Sequence, residues 1–143
     1  MGRSLLLGLS CLLAACLSFT PKPPRYEPVI LPSGVVVTDL AVPDRGRRAR
    51  SGDRIALHYE LSLGDGTPVD SSYERGAPIE LVLGESVLLP GLQEAVVGMR
   101  RFGRRKVVVP PEVAYGDEGL PPRIPPRAVL RVLVELMELE PGD

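Results

Sequence analysis

Hydrophobic and polar residues alternate cleanly from Ile55, with Ile55, Leu57, Tyr59, Leu61 and Leu63 on one face and Ala56, His58, Glu60 and Ser62 on the other. A period of two predicts a half-buried strand, and Gly64-Asp65-Gly66 behind it marks a hairpin. Further strands are predicted over Val35 to Leu40, around Ile79, Leu81 and Leu83, over Val107 to Val109, and over Val129 to Leu139, where Leu130, Val132, Val134 and Leu136 share a face. Helical spacing occurs once: Leu92, Ala95, Val96 and Met99 form a stripe behind Pro90-Gly91, Gln93 and Glu94 face outward, and Gly98 is placed as a C-terminal cap. This pattern predicts an α+β domain, a curled antiparallel sheet of about five strands wrapped over one short α-helix.

The first quarter of the chain reads differently. Met1 to Ala15 has the form of a secretory signal: Arg3 supplies positive charge, and the apolar run from Leu5 to Leu13 is too short to span a bilayer. Leu13-Ala14-Ala15-Cys16 resembles a bacterial lipobox, which implies cleavage before Cys16 and a lipid on its sulfur. An ordinary signal peptide with an incidental Cys16 is the alternative. Pro21, Pro23, Pro24, Pro28 and Pro32 then punctuate a stretch without periodicity, so residues 16–33 are expected to be a tether. At about 3.1 Å per residue such a segment reaches roughly 55 Å from a membrane. Two or three acyl chains, at about 0.8 kcal/mol per buried methylene, make a stable anchor.

At 143 residues the chain has room for one domain, expected over residues 34–140, and this short extra segment. With Cys11 lost in the leader and Cys16 acylated, no thiol remains for a disulfide or a metal site. Removing Arg3 with the leader leaves sixteen basic against eighteen acidic side chains, a formal net of −2, which argues against a nucleic-acid partner. Two local basic runs, Arg45 to Arg50 and Arg100 to Lys106, lack the interleaved aromatics of single-strand binding; they read as a solvated loop and a solvated strand edge, with contact to anionic lipid as the alternative.

Several motifs occur in a fixed order: Ser33-Gly34-Val35 with Asp39-Leu40, Ser51-Gly52-Asp53, His58-Tyr59, and Val69-Asp70-Ser71-Ser72. Leu83-Gly84, Pro90-Gly91-Leu92 and Gly98-Met99 follow, then Arg104 to Gly116 (R-R-K-V-V-V-P-P-E-V-A-Y-G), Ile124-Pro125-Pro126, and Val134-Glu135-Leu136 with Leu139-Glu140. In that order and spacing, from about Ser33 to Glu140, the chain resembles the FKBP-type peptidyl-prolyl isomerases.

The resemblance implies an isomerase that twists X-Pro bonds without a cofactor, a metal or a covalent step, which agrees with the absence of a nucleophile–base arrangement. It assigns catalytic positions to Tyr59 as one wall, to Asp70 beside the bound peptide, and to Tyr115 as hydroxyl donor to a ligand carbonyl. It assigns Leu92 to the floor, Val69 and Ile79 to side walls, Ile124 to the flap and Val132 to the deep wall. Leu88 and Leu89 match the pair before the helix, whose second backbone N–H meets a peptide carbonyl. Proline-containing polypeptides are the implied partners, the bilayer is a partner through acylated Cys16, and a monomer is expected. Leu17 in place of an inner-membrane retention aspartate points to the periplasmic face of the outer membrane.

Departures from the family pattern are concentrated in the pocket. The positions of Val69, Ile79, Leu92 and Val132 are aromatic in the best-known members, with tryptophan at the floor; this chain has no tryptophan, and its two phenylalanines, Phe19 and Phe102, lie elsewhere. Leu61 replaces a family glycine, and Arg123 enters a flap position that is usually apolar. Reduced turnover is therefore expected, and a proline-binding module without turnover is the alternative. Taken one at a time, Asp70 also reads as a turn-closing residue and the two tyrosines as core residues with satisfied hydroxyls. Alternation points His58 away from the pocket.

Overall fold

The computed structural model describes residues 26–85 and 88–143. The expected leader, Cys16 and the tether up to residue 25 lie outside the described residues. One antiparallel sheet contains β1 (Val29–Ile30), β2 (Val36–Ala41), β3 (Arg54–Leu63), β4 (Pro68–Ser71), β5 (Ile79–Val82), β6 (Arg104–Val109) and β7 (Leu130–Glu140). The strand order is β1-β2-β6-β7-β3-β4, and β5 also pairs with β3. The five expected strands are thus joined by two short ones. β1 falls inside the expected tether, where Val29 pairs with Val37 and Ile30 with Val36; two residues are too few to leave a periodic signal.

The centre of the sheet is the long pair β3 and β7, in register from Arg54 opposite Glu140 to Leu63 opposite Leu130. Opposite Ala56 and Leu57 a bulge places the extra residue Met137 in β7, while on its other side β3 pairs with β5 through its first half and with β4 through its second. Along β7, Leu130, Val132, Val134 and Leu136 are buried, and Val107 and Val109 of β6 lie beside them. Each such Leu or Val contributes about 1.5–3 kcal/mol by leaving water. Exposed Arg104 and Lys106 line the opposite face of β6. That run is not a strand edge, as its polarity suggested, because β2 and β7 flank it on both sides.

Helix α1 (Pro90–Val96) covers the buried face. Pro90 starts it, since its missing N–H costs nothing in a first turn. Gly98, at φ +85°, ends it in a turn closed by the Met99 N–H on the Val96 carbonyl at 3.1 Å. Gly91, Leu92, Ala95 and Val96 are the buried residues of the helix. Arg105 holds the helix to the sheet: its guanidinium donates to the Ala95 carbonyl at 2.6 Å while pairing with Asp39 at 2.6 Å.

Gly91 sets how near the helix lies. A β-carbon there would sit 2.7 Å from Val109 Cγ1, 2.9 Å from Val113 Cγ2 and 3.0 Å from Val35 Cγ2. Alanine is the better helix former by about 1 kcal/mol. Gly91→Ala is nevertheless expected to lower stability by about 1–3 kcal/mol in urea unfolding, because the added methyl has no space. A variant as stable as the parent would contradict this packing.

Candidate active site

Between the concave face of the sheet and the start of α1 lies a cavity of about 130 Å³, lined by Tyr59, Leu61, Asp70, Ile79, Leu88, Leu89, Leu92, Tyr115 and Val132. Six separate segments supply these residues. β3 gives Tyr59 and Leu61, β4 gives Asp70, β5 gives Ile79, β7 gives Val132, and the helix with its leading turn gives Leu88, Leu89 and Leu92. Tyr115 arrives from the loop behind Val109, where Pro110-Pro111 starts a 3-10 turn over Pro111–Val113.

Two residues matched to the pocket by resemblance are placed outside this lining. Val69 is the extra residue of a second bulge, where Leu61 pairs with Asp70 and Ser62 with Pro68. The bulge gives Asp70 to the cavity, while Val69, half-buried against the core, lines an adjoining hollow of about 840 Å³ that Leu61, Asp70 and Val132 share. Glu60, Ser62, Lys106 and Arg131 also line that hollow, and such polar walls do not strip water from an apolar ring. Ile124 is 1% exposed and belongs to the core. Mutual backbone bonds with Leu120, at 2.8 and 2.9 Å, fold the flap so that Ile124 points inward.

The polar edge of the cavity is a closed cluster of three side chains. The Tyr59 hydroxyl donates to Asp70 Oδ2 at 2.5 Å, and Arg75 donates to the Tyr59 oxygen at 2.6 Å while forming an ion pair with Asp70. The Ser71 N–H adds a bond to Asp70 Oδ1 at 2.8 Å. Arg75 was not anticipated from the sequence; its only signal is an opposite charge five residues beyond Asp70, and a loop gives that spacing no fixed geometry. The loop is fixed by Ser72, which is fully buried: its hydroxyl accepts the Tyr59 N–H at 2.8 Å, and its own N–H bonds the Tyr59 carbonyl at 3.0 Å. His58 lies on the outer side, as alternation requires, with Nδ1 2.9 Å from Ser72 Oγ and its ring stacked on Tyr73 at 4.3 Å.

These contacts fix the protonation states. Burial raises the Asp70 carboxyl, but the bonds from Tyr59 and Arg75 outweigh it and hold Asp70 below the usual carboxylate range. Burial, then the bond to anionic Asp70, pushes the Tyr59 phenol up. At neutral pH the cluster therefore holds a carboxylate, a neutral phenol and a guanidinium. Its charges compensate one another, so no unpaired charge is left when a ligand covers the wall. No proton in it is poised for transfer.

The second wall is held by Gln93. Its side-chain amide donates to the Leu88 carbonyl at 2.8 Å and accepts from the Gly84 N–H at 3.1 Å, so it ties both sides of the loop between β5 and α1 to the helix. That loop places Leu88 and Leu89 against the cavity.

Two titrations test these assignments. Because Asp70 is depressed in the folded state, the stability it contributes is present above its ordinary value of 3.8 and is lost as pH falls toward the folded value. Carboxyl NMR is expected to show a midpoint below 3.8 for Asp70, and a rise toward the ordinary value in Arg75→Ala. Tyr73, buried in part and bonded to Glu135 at 2.9 Å, is pushed up to about 12. Stability from this group is held at neutral pH and lost as pH rises from 10 through about 12. Ultraviolet titration is expected to find two late phenols, of which the one near 12 moves down in Glu135→Gln and the other does not.

Known proteins place this geometry in a family. Residues 45–137 match the model of the FKBP-type peptidyl-prolyl cis-trans isomerases. FK506-binding protein 2 of Yarrowia lipolytica is 40% identical over 94 residues, covering 66% of this chain and 65% of that protein. The peptidyl-prolyl cis-trans isomerase FKBP15-1 of Arabidopsis thaliana is 43% identical over 90 residues, covering 63% of this chain and 59% of its own length. The chain thus spans less than two thirds of the length of these relatives. Among solved structures, FkpA from Escherichia coli superposes with a TM-score of 0.73 at 32% identity, over 81% of this chain and 53% of FkpA. AtFKBP13 superposes with a TM-score of 0.72 at 32% identity, over 78% of this chain and 98% of that one. With the family model matched across most of the sheet and the whole helix, the chain belongs to the FKBP-type peptidyl-prolyl cis-trans isomerases.

Proposed function

We propose that the chain accelerates cis–trans isomerisation of X-Pro bonds in polypeptides, with the cavity between Tyr59 and Leu92 as its site. The observation that carries this reading is the closed Tyr59–Asp70–Arg75 cluster at the rim of an otherwise aliphatic cavity. Rotation about the peptide bond faces a barrier of ~18–20 kcal/mol because planar resonance must be lost. A twisted amide is less polar than a planar one, so a pocket that removes water from the proline ring favours the transition state over the ground state. Ile79, Leu92 and Val132 do this, the Tyr115 hydroxyl donates to the carbonyl that turns, and the Leu89 N–H holds the peptide.

A volume of about 130 Å³ suits one small ring rather than a drug-sized ligand, whose pockets run from about 300 to 1,000 Å³. Aliphatic walls exclude water but do not stack on a ring. Each missing aromatic contact costs about 0.5–1.5 kcal/mol, and tenfold in rate follows from each ~1.4 kcal/mol. Reduced turnover is therefore part of the proposal. The same observation favours a second reading, a module that binds proline segments with little turnover.

The proposed setting is the periplasmic face of an outer membrane, with a monomer held through acylated Cys16 and acting on proline-containing chains that fold nearby. The Leu13-Ala14-Ala15-Cys16 motif supports it. A mature protein whose mass shows Cys16 without acyl chains would overturn that setting.

NMR exchange on a short X-Pro peptide tests the activity. Tyr115→Phe is expected to lower kcat/KM by about three- to tenfold, the worth of one hydrogen bond, and Asp70→Ala by about tenfold or more because it opens the cluster. If exchange stays at the uncatalysed rate while peptide resonances shift on binding, the binding-module reading replaces the first. Leu92→Trp, which supplies a flat floor, is expected to raise turnover; an unchanged rate counts against Leu92 as the floor.

A further inference from the structure

Although the chain is nearly neutral overall, its charge is unevenly placed. An isolated bridge between Arg48 and Arg100 joins the two basic runs into one surface. Arg45, Arg47, Arg48 and Arg50 come from the loop before β3, and Arg100, Arg101 and Arg104 from the turn leading into β6. Arg54 begins β3 at the same end. The acidic groups there are Asp53, paired with Arg47, Glu138, paired with Arg101, Glu135, opposite Arg104 across the ladder, Glu80, beside Arg54, and Asp44, Glu140 and Asp143. Eight arginines against seven acids leave a surplus of one positive charge at this end of a chain whose formal net charge is −1, and the surplus is concentrated in Arg45, Arg48, Arg50 and Arg100, which have no carboxylate partner among the described residues.

Apolar groups stand among these cations. Phe102 is 54% exposed, lies at φ +66°, and carries the Arg101 guanidinium 4.6 Å from its ring. A bulky side chain in the left-handed region is strained; here that backbone lets the Phe102 N–H reach the Leu136 carbonyl at 2.6 Å and leaves the ring outside the core. Val97, 45% exposed, lies next to Gly98, whose carbonyl is bonded by Arg48, and Leu40, 47% exposed, is the bulged residue next to the pair Ala41 and Arg104.

The surface is also oriented with respect to the site. β6 runs from Arg104 at this end to Val109, beyond which Tyr115 reaches the cavity, so the basic surface and the cavity lie toward opposite ends of the sheet. The pairing of Val29 with Val37 and of Ile30 with Val36 makes the chain enter β1 from the Ala41 side, the end of β2 from which the basic loop departs.

We propose that this end of the domain docks on an anionic lipid bilayer: the arginines meet headgroup phosphates, Phe102 enters the headgroup region as the apolar tip, and the cavity is presented away from the membrane. Arginines whose stems lie along apolar groups suit this boundary, because each places its charge in water and its methylenes against the lipid. The inference stands on this surface alone and needs neither isomerase activity nor an acylated Cys16.

The chain has no tryptophan, so Phe102→Trp places a single reporter at the tip, and Leu120→Trp, at a residue 50% exposed in the flap, places one at the far end. Each full-length variant is mixed with phosphatidylcholine vesicles, with or without about 30% phosphatidylglycerol, carrying brominated acyl chains as quencher. On anionic vesicles, emission from position 102 is expected to shift to the blue and fall at least about twofold, while position 120 is unchanged. The response is expected to disappear at about 0.5 M salt and in a background of Arg45→Ser, Arg50→Ser and Arg104→Ser. An unresponsive position 102, an equal response on neutral vesicles, or equal quenching at both positions would each overturn the proposal. So would a response to polyglutamate but not to vesicles, which would assign the surface to an acidic polypeptide. An active chain that ignored vesicles would refute this inference and leave the isomerase reading intact.

Discussion

The pairing of β3 with β7 is the constraint on which the rest of the molecule depends, because both walls of the cavity are measured from it. Leu61 and Val132 are partners across this ladder, and Tyr59 lies opposite Val134. A slip of one residue would exchange faces along the whole strand, sending Tyr59 and Leu61 to solvent and His58 and Glu60 to the core. The register is secured on the other side by the core row Leu130, Val132, Val134 and Leu136, which has no alternative buried position. On its other side β3 is shared between β5 and β4, and this division brings Ile79 and Asp70 to one cavity from strands that do not pair with each other.

Around that frame, polar groups serve positioning more than reaction. Ser72 stitches the loop behind β4 to the backbone of Tyr59, Arg75 completes the cluster with Asp70, and Gln93 ties the loop between β5 and α1 to the helix. Each satisfies groups that would otherwise be buried without a partner. The outcome is a rim with compensated charges beside walls with none. Such a surface suits a step that moves no proton and forms no bond, where stabilisation depends on excluding water and holding a carbonyl. Gly91 contributes on the packing side: by letting α1 approach Val109 and Val113, it sets the depth at which Leu92 meets the cavity.

Charge is arranged along the molecule as well as within the site. The cavity opens near the Val109 end of β6, and arginine accumulates near the Arg104 end. Net charge conceals this, since acidic residues elsewhere balance it. The two runs are far apart in sequence and become one surface only through the bridge between Arg48 and Arg100.

Strands β2, β3, β5, β6 and β7 and the helix were legible in the sequence because a period of two or of 3.6 survives wherever one face is buried and the other is wet. β1 and β4 were not, having two and four residues and no clear alternation. The ordered motifs also identified eight of the cavity's lining residues, from Tyr59 to Val132. Only the tertiary structure decided the rest. The bulge at Val69 leaves that side chain against the core beside the cavity, the folded flap buries Ile124, and the loop held by Ser72 brings Arg75 onto Asp70. The physical reason is the same in each case. Periodicity reports which face of a regular element is buried, whereas a bulge, a flap and a loop break the period, and their side chains point where long-range hydrogen bonds and packing send them.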